Sequence, residues 1–61
     1  VIQVKLFDYE HEKDLEKGMN SFLKGMKEDQ LVDIKYNIAA MNEDEEEQIY
    51  CFSAMVIYRR T

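Results

Sequence analysis

The run 49–58, Ile49-Tyr50-Cys51-Phe52-Ser53-Ala54-Met55-Val56-Ile57-Tyr58, is apolar on both faces when extended. One face takes Ile49, Cys51, Met55 and Ile57, and the other takes Tyr50, Phe52, Ala54, Val56 and Tyr58. A strand of this kind needs cover on both sides. The chain has 61 residues and one plausible helix, which can cover one side only. The second face therefore points to another copy of the chain, a partner or a ligand.

A chain of 61 residues makes one domain. A domain this short buries only about 60% of its unfolded surface, and such folds are commonly reinforced by disulfides, a metal or oligomerisation. The single cysteine, Cys51, excludes an internal disulfide. The single histidine, His11, and the lack of a Cys/His cluster argue against structural zinc. No cofactor is expected, and homo-oligomerisation is the reinforcement that remains. Cys51 reads as a small core hydrophobe, and a lone thiol in an apolar strand fits a reducing cytoplasm. The sequence shows no signal peptide or membrane span.

Thirteen acids against eight bases give a net charge of −5. That balance disfavours direct nucleic-acid binding, which needs a basic surface to displace counterions. Much of the imbalance lies in Glu43, Asp44, Glu45, Glu46 and Glu47. Read plainly, this run is a solvated loop that favours solubility. Read more sharply, it is a partner-binding patch that mimics phosphates and occupies the basic groove of a host enzyme.

Along the chain, residues 1–7 alternate, with Ile2, Val4 and Leu6 on one face and Gln3 and Lys5 on the other, as in a half-buried strand. Asp8 offers an N-cap oxygen for a helix over 10–27, whose first turn is acidic. Leu15, Met19, Phe22, Leu23 and Met26 form one helical stripe. Gly18 and Gly25 lie on one flank of that helix, either to admit a neighbouring backbone or, at Gly25, to end the helix. A second strand over 31–40 has Val32, Ile34, Tyr36, Ile38 and Ala40 on its apolar face and Asp33, Lys35 and Asn37 on its wet face. An acidic loop over 41–47 leads into a third strand over 48–59. The order strand, helix, strand, strand predicts an α+β domain, β-α-β-β. Its three-stranded antiparallel sheet has order 1-3-2, one face covered by the helix and the other at an oligomer interface. Phe52, Ala54 and Val56 are expected to face the helix, with Gln3, Lys5, Lys35 and Asn37 on the opposite face.

Several segments together resemble a known family: Val4-Lys5-Leu6-Phe7-Asp8, Glu10-His11-Glu12-Lys13-Asp14-Leu15-Glu16, Asn20-Ser21-Phe22-Leu23, Val32-Asp33-Ile34-Lys35-Tyr36 and Gln48-Ile49-Tyr50-Cys51-Phe52-Ser53-Ala54-Met55. The resemblance is to very small acidic proteins of sporulating Bacillus species and their phages, known through a sporulation protein expressed in the mother cell. It spans nearly the whole chain, and Gly18 and Gly25 depart from it. It implies an expression context, and no catalytic or binding residue is carried over. The phage members suggest, by class, an inhibitor of a host enzyme or a sponge for a small nucleotide. The strand order is also similar to that of dodecin, a flavin-storing shell protein, a likeness of topology that carries no function.

No nucleophile lies beside an oriented base, so the chain reads as a non-enzyme. His11 reads as solvated, and the carboxylates of Glu10, Glu12 and Asp14 lack the spacing of a calcium loop. Two groups suit a ligand. Tyr36, Tyr50 and Tyr58 offer flat area and a hydroxyl. Lys35, Arg59 and Arg60 offer cations, the arginines in a fork that matches phosphate. If subunits brought these together, a nucleotide would stack on tyrosine with its phosphates on arginine; because neither spacing is a motif, the plainer reading of the same residues is a sheet core, an oligomer interface and a frayed terminal pair. The expectation is a non-catalytic, cytoplasmic homo-oligomer that sequesters a nucleotide-like ligand between subunits. The alternatives are an acidic inhibitor of a host protein and a structural sporulation component.

Overall fold

A computed structural model describes residues 1–42 and 48–60. The elements are β1 (Ile2–Tyr9), α1 (Glu12–Lys24), a 3-10 turn (Glu28–Gln30), β2 (Leu31–Asn42) and β3 (Gln48–Arg59). The strands form one antiparallel sheet in the order β1-β3-β2. The α+β architecture and strand order match the sequence expectation. The molecule is a thin plate of 48 × 18 × 11 Å.

The helix is shorter than the 10–27 span. Asp8 belongs to β1, and the N-cap is His11, which makes no side-chain cap bond. The His11 carbonyl accepts the N–H groups of Asp14 and Leu15, both at 3.1 Å. Glu12 and Asp14 sit in the first turn and Lys24 in the last, as the helix dipole favours. Gly25 is the C-cap with φ −87°, an ordinary conformation for any residue. Next, Gln30 accepts the Lys27 N–H at 2.9 Å and donates to the Arg59 carbonyl at 3.0 Å. One side chain thus ties the turn before β2 to the end of β3.

The helix packs on β1 and β3. Among the described residues, Phe7, Leu15, Ala54 and Val56 are the buried core, with Met19, Phe22, Leu23, Met26, Phe52 and Tyr58 packed around it. Phe22 meets Phe7 edge-on at 5.8 Å between centroids and Tyr58 at 5.4 Å. Ala54 and Val56 face the helix, as expected.

In β1 the faces are the reverse of the sequence expectation. Phe7 points to the helix, and Ile2, Val4 and Leu6 point away from it, 61%, 53% and 68% exposed. The strand continues to Tyr9, so its second face carries two aromatic rings as well as Gln3 and Lys5. Register then decides, because Lys5 lies beside Val56 and Phe7 beside Ala54. The polar pair lies on the helix side of the sheet, Gln3 half-buried and Lys5 exposed. Lys5 Nζ lies 5.8 Å from the Phe7 ring centroid, and the Tyr58 hydroxyl donates to Gln3 Oε1 at 3.1 Å.

Gly18 admits a side chain rather than a backbone. A Cβ there would lie 2.7 Å from the Tyr9 hydroxyl oxygen, so the ring crosses the helix where it has no side chain. At Gly25 a Cβ would meet only the Phe22 carbonyl, at 3.9 Å. Gly25→Ala is expected to raise the thermal midpoint by a few degrees, because it stabilises by about 0.4–1 kcal/mol through the unfolded state. Ala54→Leu overpacks the seat of Phe7 and is expected to cost about 1–3 kcal/mol in urea unfolding.

Candidate binding surfaces

The helix leaves part of its own side of the sheet bare. An α-helix is about 10–12 Å across with its side chains, and strands lie about 4.8 Å apart. Centred over β1 and β3, α1 cannot also cover β2. Ile34 lies beside Val56, Tyr36 beside Ala54 and Ile38 beside Phe52, so all three face the helix side. They remain 37%, 55% and 51% exposed.

The result is a trough between α1 and β2. Its upper half is lined by Leu15, Met19 and Leu23 from the helix and Ile34 and Tyr36 from β2. Its lower half is floored by Ile38, Tyr50 and Phe52. The Tyr50 and Phe52 rings stack with centroids 6.1 Å apart and 24° between planes. Glu12 and Lys13 border both halves, Glu16 borders the upper and Glu10 and His11 the lower. The rim thus sets three carboxylates against one lysine.

The opposite face of the sheet is also open. It carries Ile2, Val4, Leu6 and Asp8 from β1, Cys51, Ser53, Met55 and Ile57 from β3, and Asp33, Lys35 and Asn37 from β2. Lys35 Nζ lies 3.2 Å from Asp33 Oδ2 on this face. The Ile34 N–H, donating to Asp33 Oδ1 at 2.8 Å, and then Lys35 hold the Asp33 carboxyl below the usual range. At the β3 end, the Cys51 thiol donates to Asp8 Oδ1 at 2.6 Å. That bond, then desolvation and the charges of Asp8 and Glu10, push the thiol pKa up.

The residues chosen from sequence are not gathered at one site. Tyr36 and Tyr50 belong to the trough. Tyr58 is packed against Phe22, with its hydroxyl committed to Gln3. Lys35 points to the opposite face, as the residue next to Tyr36 must in a strand. Arg59 Nη1 donates to the Asp29 carbonyl at 3.5 Å, and the Arg60 N–H donates to the Val1 carbonyl at 2.7 Å. Nine residues of strand, about 30 Å, separate Arg59 from Tyr50. Within one chain, Arg59 is therefore far from the trough tyrosine Tyr50. Glu43, Asp44, Glu45, Glu46 and Glu47 lie outside the described residues. The sequence places Ile34 and Ile38 on the apolar face of β2, and in the structure that face is the floor of the trough. The signal that they are trough floor was the width of the helical stripe, one helix against three strands.

Among the described residues no cluster of His, Cys, Asp and Glu is placed to hold a metal, and no helix is long and apolar enough to cross a membrane.

Fold and surfaces together define a small single-helix α+β protein with apolar ground open on both sides of its sheet. The chain belongs to the sporulation protein Cse60 family, whose model matches residues 1–60. It is 53% identical over 60 residues to the sporulation protein cse60 of Bacillus subtilis (strain 168), covering 98% of this chain and 100% of that protein. No solved structure matches it.

The Cys51–Asp8 contact predicts a sluggish thiol. At pH 8, iodoacetamide should alkylate Cys51 several-fold more slowly than a free cysteine, because the thiolate is the nucleophile. Asp8→Asn should restore the rate and move the pH–rate midpoint down. Equal rates in both proteins would count against the contact.

Proposed function

We propose that this protein is a non-catalytic, homo-oligomeric binding protein of sporulating cells, and that its trough receives an apolar partner segment bearing positive charge. The observation that carries this reading is the trough itself, an aromatic and aliphatic floor with an acidic rim. An exposed apolar groove of this kind is a docking surface rather than a solvent-adapted one. Burying it would extend a core that consists of a handful of side chains. The three rim carboxylates then favour a cationic segment over a phosphate. The chain's one thiol is held protonated by Asp8, the opposite of what a nucleophile needs.

The nucleotide reading requires a different arrangement. A phosphate near Tyr36 or Tyr50 meets Glu10, Glu12 and Glu16, with Lys13 the lysine at hand, and Arg59 and Arg60 would have to come from another copy. An inhibitor acting through Glu43 to Glu47 would use residues outside those the structure describes.

The test uses two probes in thermal unfolding. One is a 14-residue amphipathic helix of leucine and lysine, and the other is a set of purine and pyrimidine nucleotides. The peptide is expected to raise the midpoint and the nucleotides to leave it unchanged. Ile38→Asp should abolish the peptide's effect even though it makes the protein more acidic, which separates docking from charge attraction alone. Stabilisation by nucleotides and not by peptide would reverse the assignment.

A further inference from the structure

The open face, on the side of the sheet away from α1, has a charge pattern that is complementary to itself. We propose that it is the interface of a two-fold homodimer in which two sheets pack face to face with strands antiparallel. This deepens the oligomeric part of the function proposed above and rests on it.

The pattern follows from the register. Successive rows on this face are Ile2 with Arg59; Val4, Ile57 and Asp33; Leu6, Met55 and Lys35; and Asp8, Ser53 and Asn37. The apolar residues occupy β1 and β3, and the charged pair Asp33 and Lys35 occupies β2. A two-fold axis that crosses the strands at the Val56 row exchanges the second row with the third. Val4 then lies over the partner subunit's Leu6, and Ile57 over the partner subunit's Met55. Asp33 lies over the partner subunit's Lys35, and the reverse pair forms at the same time. The same rotation exchanges the first row with the fourth, which lays Ile2 over the partner subunit's Asp8 and Arg59 over the partner subunit's Ser53, diagonal to that carboxylate. In the two central rows each charge meets its opposite and each apolar side chain meets an apolar one. This is the self-complementarity an isologous interface requires. A two-fold along the strands fails this test, because it lays β1 over β2 and sets Val4 against Asp33 and Leu6 against Lys35.

A second copy is therefore the occupant that the face itself specifies. Ile2, Val4 and Leu6 stand more than half exposed in the isolated chain, so burying them is the main gain on association. The charges fix the direction of packing, as charge pairs at interfaces commonly do.

The experiment measures mass and one distance. Analytical ultracentrifugation of the intact protein should give a dimer at micromolar concentration. A spin label on Cys51 should give a label-to-label distance of about 35 Å, from ten residues of strand offset and a sheet separation of about 10 Å. Leu6→Lys, at an exposed position that leaves the monomer fold intact by circular dichroism, should weaken the dimer at least tenfold. Lys35→Asp should weaken it similarly, and adding Asp33→Lys should restore it. A monomeric wild type would overturn both this proposal and the oligomeric reading. A dimer indifferent to Leu6→Lys, or one with labels closer than about 20 Å, would overturn this interface alone. In the Leu6→Lys monomer, the peptide response of the trough should persist, so the two surfaces are tested separately.

Discussion

Phe22 is the residue on which the arrangement turns. Its ring is held edge-on by Phe7 from β1 and Tyr58 from β3. Through those two contacts one helical side chain joins the strand before the helix to the last strand of the chain. Edge-to-face aromatic pairs add about 0.5–1.5 kcal/mol each beyond their buried area. In a domain with four buried residues among those described, two such contacts weigh heavily. They also fix where the helix lies. With Phe22 between Phe7 and Tyr58, α1 sits over the β1–β3 pair, and the small Ala54 beneath it lets it come close.

Everything left uncovered follows from that placement. β2 pairs along its length with β3 but receives no helix, so Ile34, Tyr36 and Ile38 become the floor of a trough. β1 must turn Phe7 inward to reach Phe22, and strict alternation then sends Ile2, Val4 and Leu6 outward. The exposed aliphatic row and the exposed aromatic trough are two consequences of one aromatic cluster. The polar residues on the helix side of β1 are each given a partner. Gln3 accepts the Tyr58 hydroxyl, and Lys5 lays its charge near the Phe7 ring.

Much of this was legible in the residues. The double apolar character of 49–58 placed β3 in the centre of the sheet, and the order 1-3-2 followed from the one-helix connection. Ala54 as the small seat for the helix was also readable. The β1 faces were not, because Ile2, Val4 and Leu6 make a clean alternation and only the register with Ala54 and Val56 shows that Phe7 outranks them. The helix ends before its apolar stripe does, since the stripe runs on through Met26. Its backbone N–H still bonds the Leu23 carbonyl at 3.0 Å, although the regular helix has ended. The binding residues were chosen by chemical type. Type cannot report that Lys35 and Tyr36 stand on opposite faces of the sheet, or that Tyr58 is packed against Phe22.

The two open surfaces lie back to back, and this constrains what an assembly can do. In the proposed dimer the sheets meet in the middle and the helices lie outside, giving helix, sheet, sheet, helix. The troughs then face outward on opposite sides, running in opposite directions. No cavity is enclosed between subunits, so a small molecule is not trapped as it would be in a closed shell. Two identical outward troughs instead make a bivalent connector. A second binding event on a partner with two such segments becomes intramolecular, and avidity rises without any new contact. An outward-facing, two-ended geometry therefore favours linking partner proteins over storing a ligand. In that proposal β3 belongs to both surfaces at once, through its two apolar faces.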